Sequence, residues 1–369
     1  CEYILLDIKN EKSQKMMKFL KATILLGHEH MNYDECIQYV KSSVIYTPIN
    51  MTPEEGEKKK TDFTHDILNN DIFPNCKSKR EKLYLLGFMC HKLISCYLGY
   101  TKPDDRDSYE NKRIELTGCL LNNLFRNYFN KVVKDIQKQT IKEINTGSWR
   151  SSDDFVNIIN QTNVYKIVKS STIENGIKKA LATGDFAVKG GNTGNSNKVG
   201  VAQVLNRFTY VGSLSHLRRI NTPIDKSGKL VAPRKLHSTS WGFICPAETP
   251  EGHSVGVVIN LSYMAHVSIG SDPTATLNLI TSKVELLKAS RCPASPDSVK
   301  VFLHGCWLAI TESPVEVYRF LKCAKLKGVI NVYTSVVFDT QSKEIQVRTE
   351  GGRLCRPLLR VENSRLVIG

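Results

Sequence analysis

From Arg113 to Ile144, apolar residues recur at Leu121, Leu124, Phe125, Tyr128, Phe129, Val132 and Ile136. Steps of three and four put them on one face of a 3.6-residue spiral, so the span predicts an amphipathic helix whose stripe faces a core. A second helix is expected to begin at Ser171-x-x-Glu174, which has the form of a capping box, and to run through Ile177, Ala180 and Leu181. It should stop near Gly184, a residue able to take the left-handed conformation that ends helices. The longest apolar stretch, Leu83 to Tyr100, carries His91 and Lys92 at its middle. Charge is costliest at the centre of a bilayer, so a buried core helix is expected there and no membrane span. The first half of the chain therefore reads as helical.

Beyond residue 255 the pattern shortens. Val255 to Ile269, Val299 to Ile310, Val329 to Phe338 and Glu344 to Arg348 are short β-rich runs separated by Gly, Pro, Ser and Asp. Between them, Pro314 to Lys327 opens with a proline suited to a first helical turn and ends at Gly328. A small α+β domain is expected beyond residue 255, with a structural or protein-contact role. Residues 186–200 (FAVKGGNTGNSNKVG) have no periodic core face and predict a loop. A phosphate-cradling loop would need Gly-Lys followed by Ser or Thr, whereas Lys198 is followed by Val199.

Length and composition narrow the class. At about 150 residues per domain, a chain of 369 residues should hold two or three domains. With 41% apolar and 24% charged residues, packed cores are expected and disorder is not. Lys and Arg number 51 against 36 Asp and Glu, a formal charge of +15, which suits a polyanionic partner such as nucleic acid or an acidic membrane face. Eleven cysteines without any Cys-x-x-Cys argue against a disulfide framework or a zinc ribbon and fit free thiols in a reducing compartment. The chain opens on Cys1 and shows no signal-peptide pattern, so it reads as a piece of a longer polypeptide.

The excess charge concentrates in the middle. Arg207, Arg218, Arg219, Lys226, Lys229, Arg234 and Lys235 face a single nearby acid, Asp225. Tyr210, Leu214, Leu217 and Ile220 are interleaved with them, which should mount the cations on a packed element and present guanidinium forks to phosphate oxygens. Gln203, Asn206, His216 and Asn221 add neutral hydrogen-bonding groups. The string Asn221-Thr222-Pro223-Ile224-Asp225-Lys226-Ser227-Gly228-Lys229 has turn chemistry and predicts an exposed loop bearing two lysines. Next, the run from Cys245 to Gly252 would hold Glu248 and Glu251 in a stiff turn. Paired carboxylates raise acid–base catalysis or a metal, but beside arginines they are expected to orient those cations. Ser213, Ser215 and His216 lack a Gly-x-Ser-x-Gly elbow, and no His-Glu-x-x-His occurs, so hydrolase chemistry is set aside. His216 reads as a packed or nucleic-acid-facing imidazole.

These residues carry a resemblance. Val204-Leu205-Asn206-Arg207, Leu214 to Arg219, Asn221 to Ile224, Pro233 to His237, Trp241-Gly242 and Cys245 to Gly252 closely resemble, in order and spacing, the second-largest subunit of multisubunit DNA-directed RNA polymerases. Asp104 to Ser108 with Lys112-Arg113, and Gly352 to Leu354 with Arg356 to Leu358, are similar to further parts of that family. The likeness covers nearly the whole chain, is weakest before residue 75, and is to the eukaryotic and large-DNA-virus forms. Ser240 stands where that family usually has His, and His253-Ser254-Val255 departs from its common run.

The resemblance implies a multidomain α+β fold: a lobe-like segment at 1–110, a protrusion-like helical segment at 111–183, a fork-like region at 184–262 and an external domain at 263–369. It places fork loops at 186–200 and 221–229, beside the RNA–DNA hybrid and the downstream duplex. Gln203, Arg218, Arg219, Lys226, Lys229 and Arg234 become candidate nucleic-acid contacts, and Glu251 a residue near the incoming nucleotide. Implied partners are the largest subunit and other polymerase subunits, template and non-template DNA and nascent RNA, with no membrane. The catalytic aspartates and their Mg2+ would belong to the largest subunit, and the family's zinc site would lie outside this chain, so no catalytic residue and no metal is expected here. The compartment would be the nucleus in a cell, or a cytoplasmic viral factory or virion for a virus. The alternatives from the residues alone are a free-standing nucleic-acid-binding module and a helical adaptor whose charge serves solubility.

Overall fold

The computed structural model describes residues 11–28, 32–46, 52–76, 78–146, 164–186, 199–224, 226–283, 287–288 and 298–367. Helices α1 (Glu11–Gly27), α2 (Tyr33–Ser43), α3 (Pro53–Asp66), α4 (Lys79–Tyr97), α5 (Thr117–Thr146), α6 (Val164–Ile167), α7 (Ser171–Thr183) and α8 (Tyr210–Leu217) fill the first part of the chain. Strands β1 (Arg219–Asn221), β2 (Val258–Asn260) and β3 (His266–Val267) follow, then α9 (Pro273–Lys283), β4 (Leu287–Lys288), β5 (Val299–Leu303) and β6 (Cys306–Thr311). Helix α10 (Pro314–Leu326), β7 (Ser335–Asp339), β8 (Glu344–Arg348), β9 (Leu354–Cys355), β10 (Val361–Glu362) and β11 (Arg365–Leu366) complete it. The mixed α+β class is as the sequence predicts. The loop expected at 186–200 lies largely outside the described residues, as does Asp225.

The chain divides into two compact units, each built from two separated stretches: 1–105 with 269–351, and 106–268 with 352–369. In the first, a five-stranded sheet of order β4-β6-β5-β8-β7 is antiparallel except where β5 and β8 run parallel. Alternation along β5 and β8 sorts side chains by face. Val299, Val301, Leu303, Ile345 and Val347 meet Ile280 of α9 and Val317 and Leu321 of α10 in one core. Phe302, Trp307 and Ile310 meet Tyr84 and Phe88 of α4 in another.

Helix α4 shows why its apolar run carries a lysine. Lys92 reaches within 2.8 Å of Glu344 on β8, whose side chain is only 2% exposed, and lies 4.9 Å from the Phe88 ring centroid. Gln346 Nε2 donates to the other Glu344 oxygen at 3.0 Å. A buried carboxylate needs such a counter-charge, so Lys92 belongs to the packing of the helix on the sheet. The expectation of a buried core helix holds on that side only. Leu83, Leu86, Met89, Leu93 and Tyr97 are exposed, because only the face bearing Tyr84, Leu85 and Phe88 meets the sheet. No helix among the described residues is long and apolar enough to cross a membrane.

Asp339 closes the β7–β8 turn. Its Oδ1 accepts the N–H groups of Gln341 at 2.9 Å and Ser342 at 3.3 Å, and the Ser342 hydroxyl donates to Oδ2. The Ser342 hydroxyl holds this carboxyl below the ordinary value of 3.8. A group titrating lower when folded favours the folded state above its unfolded value and loses that contribution as pH falls. Asp339→Asn should therefore weaken this unit at neutral pH and flatten its decline in acid, read from urea midpoints across pH 2 to 7. Parallel pH profiles for the two proteins would refute this.

The second unit begins with α5 against α7. Leu124, Ala180 and Phe186 form its core, with Leu120, Tyr128, Ile177, Val201 and Ala202 packed on it. Gly176 is required at the crossing, since a Cβ there would sit 2.3 Å from the Tyr128 ring. The sequence stripe splits into two ridges: Leu124 and Val132 are buried, while Leu121, Phe125 and Phe129 stay exposed. The expected capping box does not form either. Ser170 is the N-cap without a side-chain bond, and Glu174 pairs forward with Lys178 at 2.6 Å. Gly184 ends α7 at φ 71°, as expected. Ribbon β1–β2 pairs Arg219 with Asn260, and β3–β9 pairs His266 with Cys355.

Candidate nucleic-acid interface

The basic centre lies within the second unit, on α8, the β1–β2 ribbon and the turns between them. Thr209 starts α8 by accepting the Gly212 N–H at 2.9 Å. With only eight residues, α8 gains little from propensity and is held by its surroundings. Ser213 Oγ donates to Asn206 O at 2.5 Å, and His216 Nδ1 accepts the Asn206 N–H at 3.1 Å. Because Nδ1 accepts, Nε2 carries the proton and donates to Gln203 Oε1 at 3.0 Å. Gln203 Nε2 in turn donates to Gly200 O at 2.9 Å. Gln203, exposed, thus sits at the end of a short relay that fixes its amide, and His216 is a structural imidazole.

The candidate cations fall into two groups. Arg218 Nη2 reaches three main-chain carbonyls, Ser262 at 2.6 Å, Tyr263 at 3.1 Å and Ala265 at 2.9 Å. Arg234 goes further. Its Nε donates to Leu230 O at 3.1 Å, Nη1 to His253 O at 2.6 Å and Val255 O at 3.1 Å, and Nη2 to Lys226 O at 2.9 Å and Gly228 O at 3.2 Å. A guanidinium has five N–H donors, so all are committed to the backbone, leaving its charge but none of its donors for a phosphate. Gly256 makes room for this clamp: at φ 68°, a Cβ there would lie 2.3 Å from Arg234 O.

Arg219, Lys226 and Lys229 differ. All three are exposed, and none of their side chains has an intramolecular partner among the described residues. Arg219 is fixed through the β1–β2 ladder, and the two lysines through the Lys226, Gly228 and Leu230 carbonyls that Arg234 grips. The clamp and the free cations belong to one loop system, which the alternation of proline and glycine in the sequence only hinted at.

The carboxylates do not order arginines. Glu248 accepts from Ser215 Oγ across 33 residues, and its main-chain oxygen accepts Asn260 Nδ2 at 3.0 Å. Thr249 completes the bracket, donating to Val258 O and accepting the Gly256 N–H, each at 3.0 Å. Glu251 is exposed at the start of a short 3-10 turn and has no partner among the described residues. The arginine-ordering role expected of these acids is taken by backbone carbonyls. The contributions of Ser215, Thr249 and Asn260 carry no local sequence signal, because their partners lie 7 to 33 positions away, beyond the reach of any one turn or helix pattern. Among the described residues the one group of three metal-ligating side chains is elsewhere, at Cys76, Glu81 and Cys306 of the first unit.

Three family descriptions match consecutive stretches of the chain: RNA polymerase Rpb2 domain 2 at residues 2–115, domain 3 at 203–267 and domain 4 at 301–362. The DNA-directed RNA polymerase II subunit RPB2 of Schizosaccharomyces pombe is 39% identical over 312 residues, 83% of this chain and 25% of that protein. The subunit of the same name from Encephalitozoon cuniculi is 36% identical over 367 residues, covering 97% of this chain and 30% of its own length. DNA-directed RNA polymerase subunit 2 of Acanthamoeba polyphaga mimivirus is 31% identical over 387 residues, 98% of this chain and 30% of the viral protein. The chain therefore spans between a quarter and a third of the length of these relatives. With the interface region falling inside the domain 3 match, the chain belongs to the family of the second-largest subunit of DNA-directed RNA polymerase and carries its domains 2, 3 and 4.

Proposed function

We propose that this chain serves DNA-directed RNA synthesis as one wall of a polymerase cleft, where residues 200–256 hold nucleic acid without reading its sequence. The division of labour among the cations carries this reading. Arg218 and Arg234 build the scaffold, and Arg219, Lys226 and Lys229 offer unpaired charge from it. A polymerase must accept any template, and phosphate contacts supply affinity independent of sequence. Gln203 is a neutral contact to the RNA–DNA hybrid, and Glu251 lies towards the incoming nucleotide. The catalytic aspartates and Mg2+ come from the largest subunit, so no chemical step runs through this chain.

Exposed apolar groups favour the assembly over a free-standing module. Val204 and Phe208 are each 95% exposed, and Tyr210, Val211 and Leu217 on α8 are also bare. Surface of this kind marks contact with a partner, here other polymerase subunits. In a eukaryotic cell the site of action is the nucleus; in a virus it is the factory or virion.

The test uses the assembled polymerase carrying Arg219→Ala with Lys226→Ala. Each lost phosphate contact lowers the slope of log affinity against log salt by about 1, so the double variant should lose about 2 in slope. An unchanged slope with unchanged elongation would overturn the proposal.

A further inference from the structure

Three metal-ligating side chains from separate pieces of the first unit converge. Cys76 ends the turn before α4, its N–H donating to Phe73 O at 2.9 Å, where Phe73 takes a φ of 48°. Glu81 lies in the first turn of α4, its N–H held by the N-cap Ser78 Oγ at 3.2 Å. Cys306 opens β6 opposite Leu303 in the β5–β6 hairpin. The two sulfurs and a Glu81 carboxylate oxygen all lie within 4.8 Å of one another. Cys76 is buried, and the other two are partly exposed.

The donor set selects the ligand class. Two soft sulfurs with one carboxylate suit zinc, whereas magnesium and calcium require oxygen cages. A tetrahedral zinc with Zn–S near 2.3 Å holds its donor atoms roughly 3.5–3.8 Å apart, so closure needs movements of about 1 Å or less. Three protein ligands leave the fourth position to water. The two backbone turns fix the cysteines by geometry unrelated to any Cys-x-x-Cys spacing, so no local motif marks the site.

We propose that Cys76, Glu81 and Cys306 bind a zinc ion that pins the start of α4 and its preceding turn to the β5–β6 hairpin. On binding, both thiols release their protons to solvent and the ion takes two thiolates and one carboxylate. The site adjoins the aromatic packing of α4 on the sheet, since Trp307 follows Cys306 directly and its ring centroid lies 6.2 Å from that of Tyr84. Metal binding should thus reinforce the same helix-to-sheet contact.

The experiment takes the 369-residue chain, kept reduced and stripped with chelator, and titrates Co2+ followed by Zn2+. One equivalent of cobalt should give a thiolate-to-cobalt charge-transfer band that zinc abolishes, and zinc should raise the unfolding midpoint reported by Trp307 fluorescence. Cys76→Ser and Cys306→Ser should each lose the band and weaken zinc binding at least about 100-fold, the upper end of what outer-sphere changes cost. Glu81→Gln should keep the sulfur band with about tenfold weaker zinc binding. Cys119→Ser, at an exposed cysteine of the other unit, should leave the titration unchanged. Should a serine variant fail to fold, zinc protection of Cys76 and Cys306 from alkylation in the unaltered chain decides, read by mass spectrometry. Absence of the band, its survival in both serine variants, unprotected thiols, or a Cys76–Cys306 disulfide forming in the presence of equimolar zinc would each overturn the proposal.

Discussion

Arg234→Ala should free the segment from Lys226 to Leu230 while leaving the β1–β2 ribbon in place. The guanidinium joins three carbonyls of that segment to two at His253 and Val255, so one side chain holds both sides of the loop system. Hydrogen bonds from charged donors contribute about 1.5–3 kcal/mol each, but water replaces much of this at a partly exposed site. A net loss of about 3 kcal/mol in closing the segment is a reasonable magnitude. Where cleavage follows the open population, that corresponds to roughly 100-fold faster tryptic cutting after Lys226 and Lys229. Arg234→Lys separates charge from clamp: an ammonium has three donors on a single atom and cannot span five carbonyls, so cutting should accelerate almost as much. In the polymerase assembly the lysine variant should retain the salt slope, since the charge is kept. Wild-type cutting rates in both variants would show that the clamp is not what fixes the two lysines.

The second large effect lies in the other unit. Leu321 is fully buried on α10 against Val301, Ile345 and Val347 of the sheet. Removing its side chain deletes the apolar contacts and leaves a cavity, so Leu321→Ala is expected to cost about 3–5 kcal/mol. With Trp149 and Trp241 replaced by Phe, Trp307 gives a unit-specific probe, because it is buried in this unit. The urea midpoint seen by Trp307 should fall with the slope unchanged. Leu326→Ala on the same helix makes the comparison: that side chain is 63% exposed and its loss should change stability by less than about 0.5 kcal/mol. Equal effects at the two positions would mean that α10 does not seat on the sheet as described.

Helix α4 illustrates how far a single sequence can be read. Lys92 at the middle of its apolar run argues against a bilayer-crossing helix, because the penalty for charge in lipid needs no knowledge of the fold, and no described helix is long and apolar enough for one. The run could not show that Lys92 serves a buried carboxylate on β8, nor that Leu83, Leu86 and Leu93 stay in solvent. Both depend on which face meets the sheet. Helix α5 repeats the point. Steps of three and four are present on the Leu124 and Phe125 ridges alike, but α7 covers only the first. The capping box expected at Ser171 does not form, because Glu174 has a second local partner, Lys178, one turn ahead. That competition is decided by side-chain geometry.

The candidate interface divides in the same way. The concentration of cations between Arg207 and Lys235, the proline-rich turns and the family likeness are all written in the chain order. The separation of Arg218 and Arg234 from Arg219, Lys226 and Lys229 is not, since one charged residue looks like another until its neighbours are known.

By itself, then, the order of residues determined the element types, the family and the region where charge gathers, because helical and strand periods, turn chemistry and net charge act over a few neighbours. The tertiary structure decided which arginines face inward to the backbone, which apolar ridge is covered, and that Cys76 and Cys306 stand beside Glu81. Those contacts join residues up to 21 positions apart at Arg234 and 44 to 47 apart at Arg218, and bring Cys306 to Cys76 from the far end of the unit, so they exist only after the chain has closed on itself.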